Sequence, residues 1–507
     1  MKPLPAKYFY FLFFLSVTYT LLLNTLNIHS IKKLNPENNT INLKSMVFNS
    51  TVYSIDNYWY VNQVKNLVLH NKFTVDINKP FYEVRRAPVY PWFYGLHYLA
   101  FGEEGSYFYI RYTQTIILAL SVLALFAAMY NFTGKPAVAW ITAVLYLFHP
   151  VMAISAFYTV TESLSIPLVC FFLYYLSLCK TRGKNFYWLV SGFFFALAVL
   201  CRPTLVFMAL SFALALWLYS RGWKTFFIHA SFAAAGALCL FAPWTIRNYK
   251  VTGGDIVFLE KFYGDPMDYG MPNIYLREWI ACWMNPADYT SEYITNTMMD
   301  NLVSSAHPLP EKQLIESYMK KMPERAFAGN GRDTVYSALL ELYHFYQSKT
   351  TRQPLAEIQG REGRAAGKIK NLKLRFKEKN AFGYYVMMPL YFLKSIVFQS
   401  NTMTSIFLNG KQISLLQRLI KLILFGINIL AWFSLVIFPF WEIKKYDFHW
   451  MSVLFVLPSL AAFIYMLHYL EARYCFTMFP FLFGVLAINS VQLYTCIIHN
   501  YLKREKV

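Results

Sequence analysis

The chain has 507 residues, of which 57% are hydrophobic and only 15% are charged. Soluble globular domains carry about 25% charged residues, so this composition excludes an ordinary soluble enzyme and favours a membrane protein. The net charge of +20 would suggest nucleic acid as the partner of a soluble protein, but in a membrane protein it favours anionic lipid or phosphate, and we expect no nucleic acid.

Apolar runs recur along the whole chain, at roughly 17–25 residues each, which is enough to cross about 30 Å of hydrocarbon as a helix. Since open strands cannot satisfy their backbone in lipid, the sequence predicts an all-α, polytopic membrane protein with about ten spans. The first run follows Lys2 and Lys7 without a small-residue cleavage site, so we expect a retained helix and not a signal peptide. The predicted spans lie near residues 8–28, 109–130, 137–155, 163–179, 186–201, 203–219, 225–244, 413–438, 450–468 and 475–497.

Lys and Arg in the short loops predict the orientation of these spans. With a cytoplasmic N-terminus, the short cytoplasmic loops hold most of the loop cations, and the short outer turns hold only Arg202 and Arg473. Two long segments, roughly 29–108 and 245–412, then lie outside. We therefore expect an integral, multi-pass protein of the plasma (inner) membrane whose site lies on the extracytoplasmic side.

The same topology predicts three blocks along the chain. Residues 1–245 form an N-terminal transmembrane module that includes the first outer loop, residues 246–412 form an extracytoplasmic insert, and residues 413–507 form the C-terminal transmembrane helices. In the insert, we interpret the basic stretch 361–379 as a solvated or lipid-facing surface. The aromatic run 382–399 predicts either an interfacial helix or an additional re-entrant span.

The first outer loop brings one acid close to two adjacent cations. Asp56 lies in Ser-Ile-Asp-Asn-Tyr-Trp-Tyr, and Arg85 and Arg86 precede Ala-Pro-Val-Tyr-Pro. These charges are not needed for folding beside a bilayer, whereas chemistry on a lipid-borne phosphate needs a base for the attacking hydroxyl and cations for the leaving phosphate. Apolar residues at helical spacing after Asp56 predict a short helix on the outer membrane face with Asp56 in its first turn: Tyr60, Val64, Leu67 and Val68.

Four more charges fall on the outer face in this topology. Glu162 opens the fourth span, Arg202 lies in the turn between spans five and six, Arg247 follows span seven, and Arg473 lies between spans nine and ten. Charges at membrane depth are costly and usually face a cavity, so we expect one shared outer cavity. The plainer alternatives are arginines that reach the headgroups and an acid that complements the N-terminus of its helix.

The order of these motifs resembles that of the GT-C membrane glycosyltransferases, in particular glycosyltransferase family 39, the protein O-mannosyltransferase and aminoarabinose transferase-like group. The resemblance covers residues of about 50–250 well and 468–480 acceptably, and nothing is recognised between 255 and 412. The motifs that carry it are Asp56 in the first outer loop, Arg86-Ala-Pro88-Val-Tyr90-Pro91, Thr161-Glu162, Gly192 to Pro203, Pro243 to Asn248, and Glu471 to Tyr474.

Two features depart from this family. Many protein mannosyltransferases have a second acid after the first, and here Asn57 follows Asp56. No C-terminal lectin-like domain follows the last predicted span before Val507. Both departures favour a bacterial relative that acts on a lipid or a polysaccharide.

The resemblance implies transfer of a sugar from a polyprenyl-phosphate donor to a lipid, polysaccharide or protein acceptor at the extracytoplasmic face. Asp56 would act as the general base, and a single catalytic carboxylate implies inversion, since no second residue is left to form a covalent intermediate. Glu162 would orient an arginine. A divalent cation, Mg²⁺ or Mn²⁺, held by Asp56 and Glu162, is an open alternative, and no other cofactor is expected.

Guanidinium groups suit the phosphate of the donor because their planar forks match its oxygens. The candidates are Arg85, Arg86, Arg247, Arg473 and Arg202, of which Arg86 and Arg247 are favoured. Flat aromatic side chains are the predicted contacts of the sugar or the lipid: Tyr58, Tyr60, Tyr90, Trp244 and Tyr474.

Three other functions remain open. A transporter or flippase for a charged lipid would also place arginines in a cavity, although the chain has only 21 glycines and no internal repeat, unlike many carriers. A polysaccharide polymerase would also use lipid-linked sugars and outer-face arginines. An accessory subunit of an envelope assembly complex would have its catalytic groups in another chain.

Overall fold

The computed structural model describes residues 4–34, 57–78, 83–260, 270–284, 310–351, 353–398, 414–437, 447–467 and 472–504. The predicted base, Asp56, and Glu471 lie outside the described residues. The chain divides into two compact units, one made of Met1–Phe262, Gln399–Ser459 and Arg473–Val507, and the other of Tyr263–Phe398 and Leu460–Ala472.

Within the described residues every regular element is helical, which confirms the predicted all-α class. The helices that precede residue 262 are α1 (Ala6–Leu34), α2 (Asn57–His70), α3 (Val89–Thr133), α4 (Pro136–Phe148), α5 (Pro150–Ser155), α6 (Glu162–Arg182), α7 (Asn185–Cys201), α8 (Met208–Tyr219) and α9 (Trp223–Val251), with a 3₁₀ turn at Pro203–Phe207. The later ones are α10 (Gly270–Trp283), α11 (Glu311–Lys321), α12 (Arg332–Thr350), α13 (Leu355–Lys379), α14 (Met388–Val397), α15 (Leu415–Ile437), α16 (Asp447–Ala462) and α17 (Phe479–Arg504).

Seven helices of the described part are long and apolar enough to cross a membrane, which makes this an integral membrane protein. They lie at Ala6–His29, Val89–Thr133, Glu162–Arg182, Trp223–Val251, Leu415–Ile437, Asp447–Met466 and Arg473–Ile498. Three shorter apolar helices, Pro136–Phe148, Asn185–Cys201 and Pro203–Tyr219, lie at the other predicted spans. The positions of the apolar segments therefore match the sequence prediction, whereas ten complete crossings stay a prediction.

The second predicted span begins earlier than its hydropathy indicates. Helix α3 starts at Val89, whereas the prediction started at residue 109. Its 45 residues are interrupted at Gly102, where φ is 68° and ψ is −172°, a backbone conformation that only glycine adopts without strain. The aromatic segment 89–101 is thus a helix of its own before the break.

Close packing of α7 against α9 depends on two glycines. A Cβ at Gly192 would lie 1.9 Å from the carbonyl oxygen of Ala233, and a Cβ at Gly236 would lie 1.9 Å from that of Leu189. Small residues permit such backbone contact between membrane helices. The glycine that opens the motif from Gly192 to Pro203 is therefore required by helix packing, and this packing fixes the end of α7 where Arg202 follows.

Helix α2 is the short helix predicted after Asp56, but its buried face differs in part from the prediction. Val61 and Val64 pack against Tyr94 and Ile110 of α3. Tyr60 is also buried. The predicted face extended to Leu67 and Val68, and these are 41% and 44% exposed, because the first two turns of α2 provide the contact with α3 and its last turn does not.

The second unit has its own hydrophobic core, in a part of the chain where the sequence offers no recognisable motif. Trp279 and Trp283 of α10 are nearly fully buried, and Leu342 and Phe345 of α12 pack in the same cluster. This core belongs to the compact unit of Tyr263–Phe398 and Leu460–Ala472. The proposed boundaries of the three sequence blocks stay predictions.

The basic stretch 361–379 lies on α13, whose buried residues recur at helical spacing: Ile358, Ala365, Ile369, Leu372 and Phe376. Lys368, Lys370 and Arg375 are exposed, whereas Lys373 is mostly buried and its Nζ lies 2.7 Å from Oε2 of Glu278 on α10. The aromatic run 382–399 forms a π-helical turn at Gly383–Met387 followed by α14. Met388 and Phe392 join the core, whereas Phe382 and Leu390 are exposed, an arrangement that fits the interfacial alternative.

Candidate functional site

A buried ion pair joins two of the predicted site residues. Glu162, in the first turn of α6, accepts a hydrogen bond from Arg202, with Oε1 and Nη1 2.7 Å apart. The side chains are 7% and 8% exposed, respectively. Arg473 lies on the same carboxylate, with its Nε 4.0 Å from Oε1. Three charges far apart in the sequence thus meet at one point, and the shared outer cavity stays a prediction.

Two neighbouring side chains fix the geometry of this ion pair. The hydroxyl of Thr161 donates to Oε2 of Glu162 at 3.1 Å and accepts a hydrogen bond from Nη1 of Arg202 at 3.4 Å. The ring of Tyr474 lies under the guanidinium of Arg202, 4.9 Å from its Cζ. Cations over an aromatic face are attracted by the ring quadrupole. Thr161-Glu162 and Arg473-Tyr474 are therefore in contact around Arg202, although each is an ordinary dipeptide in the sequence.

Tyr90 is held in place by a glutamine that the sequence analysis missed. Its hydroxyl donates to Oε1 of Gln114 at 3.0 Å, and the hydroxyl of Ser163 donates to the same oxygen at 2.7 Å. The amide of Gln114 donates in turn to the carbonyl of Ala156 at 2.7 Å. The ring of Tyr60 meets that of Tyr90 edge-on, with centroids 5.3 Å apart. Gln114 lies inside an apolar span, and a buried amide at that depth was the available signal.

The two adjacent arginines share one tryptophan. The guanidinium carbons of Arg85 and Arg86 lie 4.4 Å and 5.3 Å from the ring centroid of Trp59; we call Arg85 and Arg86 the arginine pair. Trp59 belongs to the first turn of α2, which begins one residue after Asp56. Tyr58 is 45% exposed. The structure thus brings the arginine pair to the start of the helix that Asp56 precedes.

Arg247 is engaged with backbone carbonyls. Its Nη1 donates to the carbonyl of Glu83 at 2.7 Å and its Nη2 to that of Phe73 at 3.0 Å. The same Nη1 donates to Oδ1 of Asn248 at 2.9 Å. The guanidinium therefore fastens the two ends of the segment between α2 and α3 to the end of α9, and we interpret Arg247 as a positioning residue for the arginine pair.

Trp244 and Asn248 fasten a second segment to the same helix end. The indole N–H of Trp244 donates to the carbonyl of Leu259 at 3.0 Å, and Nδ2 of Asn248 donates to that of Val257 at 2.9 Å. Trp244 is 2% exposed. Buried indole N–H groups usually find such a partner. This contact leaves little of the Trp244 surface for the predicted contact with a sugar or lipid.

The fastened segment ends at Glu260, an acid that the sequence analysis did not single out. Burial raises the pKa of this carboxyl group, and the charges of Arg86, Arg202 and Arg85 together with the backbone N–H of Ala87 counteract part of that rise. The side chain is only partly exposed. The charges of these arginines thus influence a second acid, and nothing in its local sequence distinguishes it from a loop residue.

The hypothesis of a divalent cation gains no support in the described part of the site. Among those residues, no group of three or more His, Cys, Asp or Glu side chains could hold a metal ion. A cation at Glu162 would also lie beside the guanidinium groups of Arg202 and Arg473, whose charge opposes it. Asp56, the other proposed ligand, is outside the described residues.

Comparison with solved structures gives loose likenesses. The oligosaccharyltransferase of Archaeoglobus fulgidus in its apo form is 12% identical, with a TM-score of 0.46, over 99% of this chain and 52% of that protein; the chain thus spans about half the length of that relative. ArnT from Cupriavidus metallidurans bound to undecaprenyl phosphate is 13% identical, with a TM-score of 0.36, over 96% of this chain and 78% of that one. At such scores no residue role or activity is transferred. A search of curated proteins finds no match.

A family model matches the part of the chain that holds most of the site. Residues 85–246, about a third of the chain, match the model of the dolichyl-phosphate-mannose-protein mannosyltransferases. The matched region includes the arginine pair, Glu162 and Arg202. Over these residues the chain is therefore similar to that family, and the predicted resemblance to the GT-C membrane glycosyltransferases is confirmed.

Proposed function

We propose that this protein transfers a sugar from a polyprenyl-phosphate-linked donor to a lipid, polysaccharide or protein acceptor at the extracytoplasmic face of the plasma (inner) membrane. The observation that carries the proposal is the convergence of Glu162, Arg202 and Arg473, of which Glu162 and Arg202 are buried and Arg473 is 29% exposed. Guanidinium groups attract anions, and their planar forks match the oxygens of a phosphate. A phosphate at the end of a lipid chain has the charge and the location for it.

Asp56 would start the reaction as the general base. The acceptor oxygen attacks the anomeric carbon while Asp56 takes the hydroxyl proton, and the bond between that carbon and the phosphate oxygen breaks. The polyprenyl phosphate leaves with the electron pair. A general base placed within hydrogen-bond reach contributes roughly 10²–10⁴-fold. Attack on the face opposite the leaving phosphate gives inversion.

The arginines would stabilise the charge that develops on the leaving phosphate. The arginine pair lies against Trp59 in the first turn of α2, and it is our first choice for the phosphate. Arg202 and Arg473 are further candidates, oriented by Glu162. The hydrogen bonds of Arg247 to backbone carbonyls favour a positioning role for it. Hydrogen bonds between guanidinium groups and phosphate are charge-assisted and are among the strongest in proteins.

The experiment is donor consumption by the purified, full-length protein in lipid nanodiscs. A panel of polyprenyl-phosphate sugars is offered with envelope lipids and glycans as acceptors, and the products are identified by mass spectrometry. We expect one donor to be consumed and a sugar to appear on an acceptor. A flippase would move the donor across a vesicle membrane without consuming it, a polymerase would give chains of repeated units, and an accessory subunit would give no product alone.

A further inference from the structure

A buried acid, Asp447 at the start of α16, joins the ends of three other helices. Nζ of Lys180, in the last turn of α6, lies 2.7 Å from its Oδ2, and the hydroxyl of Tyr219, at the end of α8, donates to the same oxygen at 2.6 Å. The backbone N–H of Phe448 donates to Oδ1 at 2.8 Å. Lys180 also donates to the carbonyl of Phe132, near the end of α3, at 2.9 Å. These bonds hold the carboxylate and the ammonium group in fixed positions.

This network lies at the opposite end of a membrane span from the candidate site. Glu162 is in the first turn of α6, and Lys180 is in its last turn. At a rise of about 1.5 Å per residue, the helix between them is about 27 Å long, which is close to the roughly 30 Å of a hydrocarbon core. The network therefore lies at the other membrane face, which is the cytoplasmic one in the predicted topology.

A cavity of about 170 Å³ adjoins the network and is lined by residues of α3, α4, α16 and α17. Its lining includes Lys135, Val138, Asp447, Ile488 and Gln492. One water needs about 10–15 Å³ of such space, so the cavity has room for a polar headgroup. Val138 and Ile488 are buried and give the cavity an apolar wall opposite its polar groups.

Two polar side chains of this cavity are available to a ligand. Lys135 is exposed and forms no ion pair with the described residues, and the half-buried amide of Gln492 makes no hydrogen bond with them. The turn that carries Lys135 is fixed, since its backbone N–H donates to the hydroxyl of Thr133 at 3.2 Å across Gly134, which has a φ of 68°. The cavity therefore offers an ammonium group on a fixed turn and an amide on the facing helix.

The charges around the cavity leave one positive charge uncompensated within the described part of the chain. Lys180 lies behind the cavity wall and is compensated by Asp447. The charge of Lys135 is left for a ligand. Basic pockets between membrane helices at the cytoplasmic side are suited to anionic lipid headgroups, and a phosphodiester supplies the single negative charge that this pocket needs.

We propose that this cavity binds the headgroup of an anionic glycerophospholipid of the phosphatidylglycerol type, from the leaflet opposite the candidate site. Lys135 pairs with the phosphodiester, and the amide of Gln492 donates a hydrogen bond to the same headgroup. A phosphatidylethanolamine headgroup is disfavoured because its own ammonium group compensates its phosphate and repels Lys135. The site is independent of the proposed function, since it lies at the other membrane face from the groups assigned to the donor.

The probe is a phosphatidylglycerol with a photoactivatable diazirine near the start of one acyl chain. It is added in trace amounts to the full-length protein in phosphatidylcholine nanodiscs, and the labelled peptides are identified by mass spectrometry after illumination. We expect labels at the turn between α3 and α4 and around Gln492 of α17. Unlabelled phosphatidylglycerol should compete, whereas phosphatidylethanolamine with the same acyl chains should not.

Lys135→Gln should bind phosphatidylglycerol about fivefold more weakly in the competition assay, the effect expected of one cation next to an anionic lipid. Lys135→Arg, which keeps the charge, should bind it like the wild type. The matched control is Lys224→Gln, an exposed lysine in the first turn of α9 that does not line the cavity. Its binding should not change, and melting curves verify that all variants are folded.

Labels confined to other helices, or equal competition by phosphatidylethanolamine, would contradict the proposal. Equal losses in Lys135→Gln and Lys224→Gln would show a general effect of surface charge and no site. Competition by millimolar inorganic phosphate would assign the cavity to a soluble anion and would overturn the lipid as its ligand.

Discussion

Glu162 and Arg202 hold each other inside the protein, with Oε1 and Nη1 2.7 Å apart and both side chains less than a tenth exposed. The acid comes from the first turn of α6 and the arginine from the turn that follows α7. The ends of two helices thus complete one ion pair. Because each charge has lost its water, either partner alone would be an uncompensated buried charge.

Replacing only one member of this pair should therefore destabilise the protein. For Glu162→Gln or Arg202→Met we expect a loss of about 3–5 kcal/mol of stability, the typical cost of an unpaired buried charge. Thermal unfolding in detergent measures it. The double variant should recover part of the loss, and additive losses in a double-mutant cycle would show that the pair is not coupled.

Gly192→Ala should disrupt the packing of α7 against α9, because the added Cβ would lie 1.9 Å from a backbone oxygen. Gly367→Ala is the matched control: it lies within α13, and a Cβ there has no heavy atom within 4 Å. Alanine in an open helix position typically gains about 0.5–1 kcal/mol over glycine. We expect a lower melting temperature for the first variant and an unchanged or higher one for the second; equal effects would contradict the close helix contact.

Arg247→Ala should reduce both stability and transfer activity, since it removes charge-assisted hydrogen bonds to two backbone carbonyls, worth about 1.5–3 kcal/mol each. Arg247→Lys should rescue only part of this, because Lys lacks the planar fork. Lys370→Ala, in the basic stretch, should be tolerated, since that side chain is exposed on α13. Donor titrations and melting curves on the three variants check this, and equal sensitivity of Lys370 and Arg247 would contradict the role of the α9 end.

Trp59→Ala should weaken the use of the donor by releasing the arginine pair from its aromatic support. A cation–π contact is worth about 0.5–2 kcal/mol according to its exposure, so the apparent KM for the donor should rise several-fold in Trp59→Ala. Trp59→Phe should retain most of the cation–π contact and therefore have a KM close to that of the wild type. Trp223→Ala, at the exposed start of α9, is the control. Unchanged kinetics for Trp59→Ala would show that Trp59 does not support donor binding.

Hydropathy and loop charge predict the membrane class and the helix positions because both depend on short-range composition. The meeting of Thr161-Glu162, Arg202 and Arg473 is also predictable, since each lies at an outer helix end in the same topology. The roles of Gln114 and Glu260 are not, because a buried amide in a span and an acid in a loop acquire their partners only through tertiary packing. Arg247 illustrates the limit of motif reasoning: the motif from Pro243 to Asn248 singled it out for the donor phosphate, but its hydrogen bonds to backbone carbonyls could not be predicted.

The apolar face of α2 shows the same limit on a smaller scale. The helical period of α2 was predicted correctly. The residues of α2 that α3 covers could not be predicted, because they depend on the break of α3 at Gly102. The core of the second unit went unrecognised because its helices contact one another across long sequence separations and carry no motif.

The central claim is tested most directly by sugar transfer from a polyprenyl-phosphate donor with the wild type and Asp56→Asn in parallel. The wild type should consume the donor, and Asp56→Asn, although folded and able to bind the donor, should lose roughly 10²–10⁴-fold in rate. An unconsumed donor with the wild type, or an Asp56→Asn variant as active as the wild type, would contradict it.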